Sequence, residues 1–194
     1  MLKLIGFKKI NIAVFISGTG TNLKNLIKHS LKKRSKFSIK LVISDKSKAK
    51  GLEYAKKFKI KRKIINYYNI RNAEKKIFFE LKKNNINLIC LAGYMKILSK
   101  NIINIFNKKI INIHPSLLPK FKGLDTFRKV LENGEKKTGC TVHYVNKKLD
   151  DGNIIVKKCF FLDSYENEKT LKQKTQNLEY KAYPEAIIKI FQYC

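Results

Sequence analysis

The feature that most restricts how this chain can fold is an alternation. Short apolar runs of strand length are followed, again and again, by longer stretches whose apolar residues recur at helical spacing. Residues 9–17 (KINIAVFIS) contain five successive apolar positions, Ile12 to Ile16, the pattern of a strand buried on both faces, as in a parallel sheet. A glycine-containing turn over 18–22 leads into 22–33, where Leu23, Leu26, Ile27 and Leu31 mark one helix face. The same logic predicts strands over 37–44 and 63–67 with helices over 48–59 and 71–84, then a strand over 87–92, a helix over 95–106 and a strand over 109–113. Beyond that the order changes. A loop with two prolines precedes a helix over 126–132, two strands over 139–145 and 153–162 follow, and a last helix runs over 168–193, bent near Pro184 because proline removes a helical hydrogen bond. The expectation is an α/β fold around a mostly parallel sheet, in one domain over 1–194, since 194 residues support one core better than two.

Charge is the second constraint. A formal +29 invites a nucleic-acid partner, because clustered basic side chains displace counterions from phosphates. Yet only four of the 43 basic residues are arginine (Arg34, Arg62, Arg71, Arg128), the side chain suited to planar, bidentate contacts, and the lysines are spread along the chain beside an equally heavy use of Ile and Asn. That is the signature of AT-rich coding with solvated surface lysines, so no specific nucleic acid is expected. Cys90, Cys140, Cys159 and Cys194 form no Cys-x-x-Cys pair and have no histidine at ligand spacing, which points to free thiols and no metal. The N-terminal apolar run is too short for a signal peptide and no stretch of about 18 apolar residues occurs, so the expected location is cytoplasmic, without a membrane.

Two places concentrate chemistry. After the first strand, Ser17-Gly18-Thr19-Gly20-Thr21-Asn22 brings two glycines to a helix start, where backbone N–H groups can approach an anion; a plain glycine turn with Thr21 or Asn22 capping the helix reads equally well. It has no Gly-Lys-Ser/Thr ending and no third fingerprint glycine. At the end of a predicted inner strand, Asn112-Ile-His-Pro-Ser-Leu-Leu-Pro119 holds one of three histidines and two of three prolines. There Asn112 offers an amide, His114 an imidazole, and Pro115 and Pro119 keep the loop from helical geometry. An aspartate from Leu149-Asp150-Asp151-Gly152 beside His114 would raise its pKa and suit a site that stabilises a developing oxyanion. His29 and His143 read as structural.

These segments, with Leu91-Ala-Gly-Tyr-Met-Lys-Ile-Leu98, resemble in order and spacing the motifs of the folate-dependent phosphoribosylglycinamide formyltransferase (glycinamide ribonucleotide transformylase) family over nearly the whole chain. The resemblance implies a Rossmann-like, twisted sheet flanked by helices, with a phosphate-binding N-terminal half and a catalytic, folate-binding C-terminal half. It implies formyl transfer from 10-formyltetrahydrofolate, as co-substrate, to the amine of N1-(5-phosphoribosyl)glycinamide in de novo purine biosynthesis. His114, Asn112 and Asp150 match the catalytic trio. Gly20, Thr21, Asn22, Gln176, Asn177, Leu178 and Glu179 match the ribonucleotide site; Arg71, Met95, Lys96, Ile97, Leu98, Asn112, Asn146, Lys147, Lys148, Leu149 and Asp150 match the folate site. Thr19, Lys96 and the 122–127 segment depart from the commonest pattern, and lysine cannot reproduce an arginine fork. Within the wider superfamily, methionyl-tRNA formyltransferase and formyltetrahydrofolate hydrolase carry extra domains that this length does not suggest; a basic RNA-binding module is the reading from another class. The implied protein is a monomer or homodimer.

Overall fold

The computed structural model describes residues 9–106 and 109–192; the apolar run of the extreme N-terminus, the expected helix end at residue 193 and Cys194 lie outside them. Thirteen elements alternate as expected: β1 (Ile10–Ile16), α1 (Thr21–Ser30), β2 (Phe37–Ser44), α2 (Gly51–Lys57), β3 (Lys61–Ile64), α3 (Ile70–Lys83), β4 (Leu88–Leu91), α4 (Lys100–Ile105), β5 (Ile110–His114), α5 (Thr126–Glu132), β6 (Lys137–Tyr144), β7 (Ile154–Phe161) and α6 (Glu168–Ile190). They form a seven-stranded sheet in the order β3-β2-β1-β4-β5-β6-β7, parallel from β3 to β5, with β6 and β7 added antiparallel. Strand order reverses between β1 and β4, and the carboxyl ends of the strands at such a switch point are where open α/β sheets place their ligands.

Strand alternation sorts the core into two layers. Ile12, Val14 and Ile16 pack with Leu23, Leu26 and Ile27 of α1, Leu52 of α2 and Tyr183, Ala186 and Ile187 of α6. Ala13 and Phe15 turn the other way, onto Ala73, Ile77 and Leu81 of α3 and Ile102 of α4. Each fully buried Leu, Ile or Phe contributes about 1.5–3 kcal/mol relative to exposure, so these layers hold the sheet ends in place.

Boundaries shift by up to three residues at α1, which ends at Ser30 rather than 33, and at α2, which covers Gly51–Lys57 rather than 48–59, and two further shifts have a visible cause. β3 covers Lys61–Ile64 rather than 63–67: it is an edge strand whose Lys61 and Lys63 both reach Glu80 of α3, at 2.8 and 3.1 Å, so ion pairing places it where apolar residues were expected to. α4 starts at Lys100, not 95. Gly93 has a left-handed φ of 69°, the Met95 N–H donates to Ser17 Oγ at 2.8 Å, and Ser99 caps the helix by accepting from the Ile102 N–H. Residues 94–98 are thereby held as a loop against the first glycine turn.

α6 runs through Pro184. Proline cannot donate to the carbonyl four residues earlier, Tyr180, and that oxygen instead accepts from Asn25 Nδ2 of α1 at 2.8 Å. The missing helical bond becomes a tie between α1 and α6, and it sets which residues of α6 face the first turn of α1.

Candidate active site

The catalytic candidates converge because β5 and β6 are antiparallel neighbours. Asn112 pairs directly with His143, and His114 with Thr141. Thr141 Oγ1 donates to the Ser116 carbonyl at 2.7 Å and accepts from the Leu118 N–H at 3.1 Å, pinning the proline-containing loop that leaves His114. The β6–β7 connection returns beneath it. Asn146 bridges that connection, accepting from the Lys148 N–H and donating to the Asp151 carbonyl, and Asp150 adopts a left-handed φ of 46° that turns its carboxylate inward. Asp150 Oδ2 then lies 3.3 Å from His114 Nδ1 and accepts from the Gly123 N–H at 2.9 Å; Oδ1 lies 3.3 Å from Asn112 Nδ2 and 3.5 Å from His143 Nε2.

Asn112, His114 and Asp150 are thus brought together as expected. His143 is a correction: read as structural, it stands in the same cluster, 3.4 Å from Asn112 Nδ2, with Nδ1 donating to the Tyr144 carbonyl at 2.8 Å. A histidine in mid-strand carries no local signal of this; only the β5–β6 register places it opposite Asn112. His29 sits in the last turn of α1.

The electrostatics correct a second expectation. Burial would raise the Asp150 carboxyl, but hydrogen bonds from His143 and the Gly123 N–H, with the charges of the two imidazoles, outweigh it and hold the group at about 2. His114 goes down, not up. It is 4% exposed, and burial, with His143 and Lys129 nearby, depresses it more than the Phe121 carbonyl and Asp150 can raise it. In the free site it is therefore neutral near pH 7 and above. Its Nε2 lies 2.7 Å from the Phe121 carbonyl, which can only accept, so Nε2 carries the hydrogen and Nδ1 faces the Asp150 carboxylate with a lone pair. A proton added at Nδ1 would meet an acceptor already in place.

The first glycine turn is the second candidate region. Gly20 precedes α1 with a φ of 71°, and a Cβ there would fall 2.5 Å from the Gly51 Cα, so this close approach requires glycine. No side chain caps α1, which corrects the alternative of Thr21 or Asn22 as the cap. Thr21 Oγ1 instead accepts from Gln176 Nε2, and Asn22 Nδ2 donates to Glu179 Oε2, each at 2.8 Å, while Asn22 Oδ1 is buried without a partner. Asn177 is exposed and Leu178 packs against the core.

Of the remaining candidates, Met95, Ile97 and Leu149 are exposed at 57%, 83% and 60%, large for apolar side chains, whereas Leu98 is buried. Lys96 Nζ lies 6.0 Å over the Tyr67 ring, whose hydroxyl meets that of Tyr94 at 2.9 Å. Arg71 is exposed in the first turn of α3, and Lys147 and Lys148 are exposed on the β6–β7 connection. A cleft of about 380 Å³ lined by Leu118, Phe121, Glu135 and Cys159, among others, contains none of the cluster's titratable side chains. Cys90 and Cys140 are buried free thiols and Cys159 an exposed one, and no His, Cys, Asp and Glu group among the described residues could hold a metal.

The formyl transferase family profile matches residues 10–187, and the chain belongs to that family. Within it, the chain is 36% identical to the phosphoribosylglycinamide formyltransferase of Bacillus subtilis, over 90% of this chain and 91% of that protein. The structure of the phosphoribosylglycinamide formyltransferase from Brucella melitensis superposes with a TM-score of 0.90 at 34% identity, over 95% and 96% of the two chains. The human trifunctional purine biosynthetic protein adenosine-3 is 38% identical over 93% of this chain, which spans only 18% of that protein's length. The α/β fold with a mostly parallel sheet is thus shared with the Brucella melitensis structure.

Proposed function

We propose that the chain is a phosphoribosylglycinamide formyltransferase, moving the formyl group of 10-formyltetrahydrofolate to the amine of N1-(5-phosphoribosyl)glycinamide. The observation that carries this reading is the convergence of Asn112, His114 and Asp150 at the carboxyl end of β5, with the uncapped start of α1 at the end of β1 in the same sheet. The phosphate is assigned to the Gly20–Thr21–Asn22 turn, with Gln176 to Glu179 of α6 completing the ribonucleotide site and Glu179 toward its glycinamide side. The folate is assigned to the side of Arg71, residues 95–98 and the 146–150 connection, where exposed Met95, Ile97 and Leu149 offer an apolar surface to a flat ring system.

As the amine attacks the formyl carbon, negative charge grows on the formyl oxygen and the amine nitrogen must lose a proton. Asn112 Nδ2 is the donor for that oxygen: its contacts to Asp150 and His143, at 3.3 and 3.4 Å, are long, so turning away costs little. His114, neutral in the free site, accepts the released proton at Nδ1, directly or through a water, and as imidazolium then donates to both the Phe121 carbonyl and Asp150. From there the proton is available to the departing nitrogen. Asp150 stays ionised throughout and supplies the charge that makes this imidazolium affordable in a buried place. The reaction needs no metal in this scheme. Among the described residues no helix is long and apolar enough to cross a membrane, and we place the enzyme in the cytoplasm with small molecules as its partners, as a monomer or homodimer.

The test is direct: purified protein, the ribonucleotide and 10-formyltetrahydrofolate are mixed and formylated product is measured. Absence of product from the folded protein would sink the proposal.

A further inference from the structure

Glu179 meets the first turn of α1 through Asn22, one helical turn along α6 from the Gln176–Thr21 contact. In a chain with 43 basic and 14 acidic residues, Glu179 has no ion pair among the described residues; its hydrogen-bond partner is a neutral amide. The titratable groups around it are Cys140 on β6 and Tyr180 and Tyr183 on α6, with Tyr54 of α2 beyond Tyr180. Burial raises Cys140, Tyr180 and Tyr183, so none of the three is charged near neutral pH. Lys158, whose charge acts on Cys140, is committed to Glu185 at 2.7 Å. Loss of hydration in this setting pushes the Glu179 carboxyl up to about 7, the Asn22 hydrogen bond opposing only part of it. The residue as a whole keeps some access to solvent, so protons can reach it.

Resting on the assignment of the phosphate to the start of α1, we propose that binding of a phosphomonoester there is coupled to the uptake of one proton by Glu179. A dianion at this turn sits beside a carboxylate that has no ion pair among the described residues, and like charges disfavour the ionised form. A carboxyl already poised near neutrality takes a proton from solvent; no bond in the ligand changes. Protonation also weakens the hold on Asn22 Nδ2, because a neutral acid is a poorer acceptor than a carboxylate, and it frees that amide for the incoming ligand. Asn22 Oδ1, buried and without a partner, completes a side chain available to donate and accept.

The experiment is titration calorimetry of the full chain with ribose 5-phosphate at pH 8, in buffers of different ionisation enthalpy. A phosphate ester with a second pKa near about 6 is a dianion there and carries no proton change of its own. The expected result is uptake approaching about one proton per ligand, with Kd rising roughly tenfold per pH unit above neutrality. Glu179→Gln should bind with a buffer-independent enthalpy and a flat Kd. Binding by the unaltered protein without proton uptake, or uptake that persists in Glu179→Gln, overturns the coupling and leaves the formyltransferase reading standing. No binding of the probe by folded protein overturns the phosphate assignment and the coupling together. The measurement on the unaltered chain decides the matter even if the variant does not fold.

Discussion

His114 Nδ1 lies 3.3 Å from Asp150 Oδ2, yet the imidazole is depressed while the carboxylate is held at about 2. The pair is asymmetric because burial opposes both charges: at Asp150 the contacts from His143 and the Gly123 N–H outweigh it, whereas at His114 the Phe121 carbonyl and Asp150 do not. The outcome is an ionised acid facing a neutral base, a pair ready to receive a proton rather than one already holding it.

Removing the base should therefore cost rate more than binding. His114→Ala is expected to lower kcat by at least about 10²-fold with a smaller change in KM. The comparison is steady-state kinetics on protein whose circular dichroism matches the parent; near-parental turnover would refute the role.

His143 should act through Asp150. His143→Phe removes a contact that holds the carboxyl ionised, so the Asp150 pKa rises. An NMR titration of the Asp150 carboxyl reads this directly, and an unmoved midpoint would leave His143 as packing only.

Two carboxyls should bend the stability curve in opposite directions. Asp150 has a folded pKa of about 2 against 3.8, so its contribution, about 2 kcal/mol, is present above 3.8 and lost as pH falls through 2. Glu179 is raised from 4.5 to about 7, so its contribution is present below 4.5 and lost as pH rises to 7. Denaturant titrations should show Asp150→Asn flattening the acid limb and Glu179→Gln flattening the decline between 4.5 and 7; a slope unchanged in either variant counts against the corresponding environment.

The glycines of the first turn should not be equivalent. Gly20→Ala forces a Cβ to within 2.5 Å of the Gly51 Cα at a φ of 71°, whereas a Cβ at Gly18 meets nothing within 4 Å. Thermal denaturation should show Gly20→Ala losing several degrees or more and Gly18→Ala staying near the parent; equal melting temperatures would contradict the packing of α1 against α2.

The lysine excess predicts a rate effect. Two anionic substrates approaching a surface of +29 should give a kcat/KM that falls as salt is raised from low to physiological ionic strength, with kcat little changed. A kcat/KM indifferent to salt would remove steering from the account.

Much of this protein was legible from its residues alone. Apolar periodicity marked every strand and helix, with helix ends off by up to three residues at α1 and α2, and it also slipped where something else decided a boundary: paired lysines on β3, and the Ser17 and Gly93 contacts that hold residues 94–98 out of α4. The motifs around Gly20, Asn112, His114 and Asp150 were visible because backbone geometry and chemistry there demand particular residue types over a few consecutive positions.

What tertiary structure alone decided were the relationships between segments. The register of β6 on β5 put His143 opposite Asn112, and a proline-freed carbonyl on α6, taken by Asn25, set Gln176 and Glu179 against the start of α1. It also decided the sign of the pKa shifts, since proximity to Asp150 argues that His114 rises and burial makes it fall. Local sequence carries torsional preference and periodicity; desolvation and long-range register exist only once the sheet has closed around them.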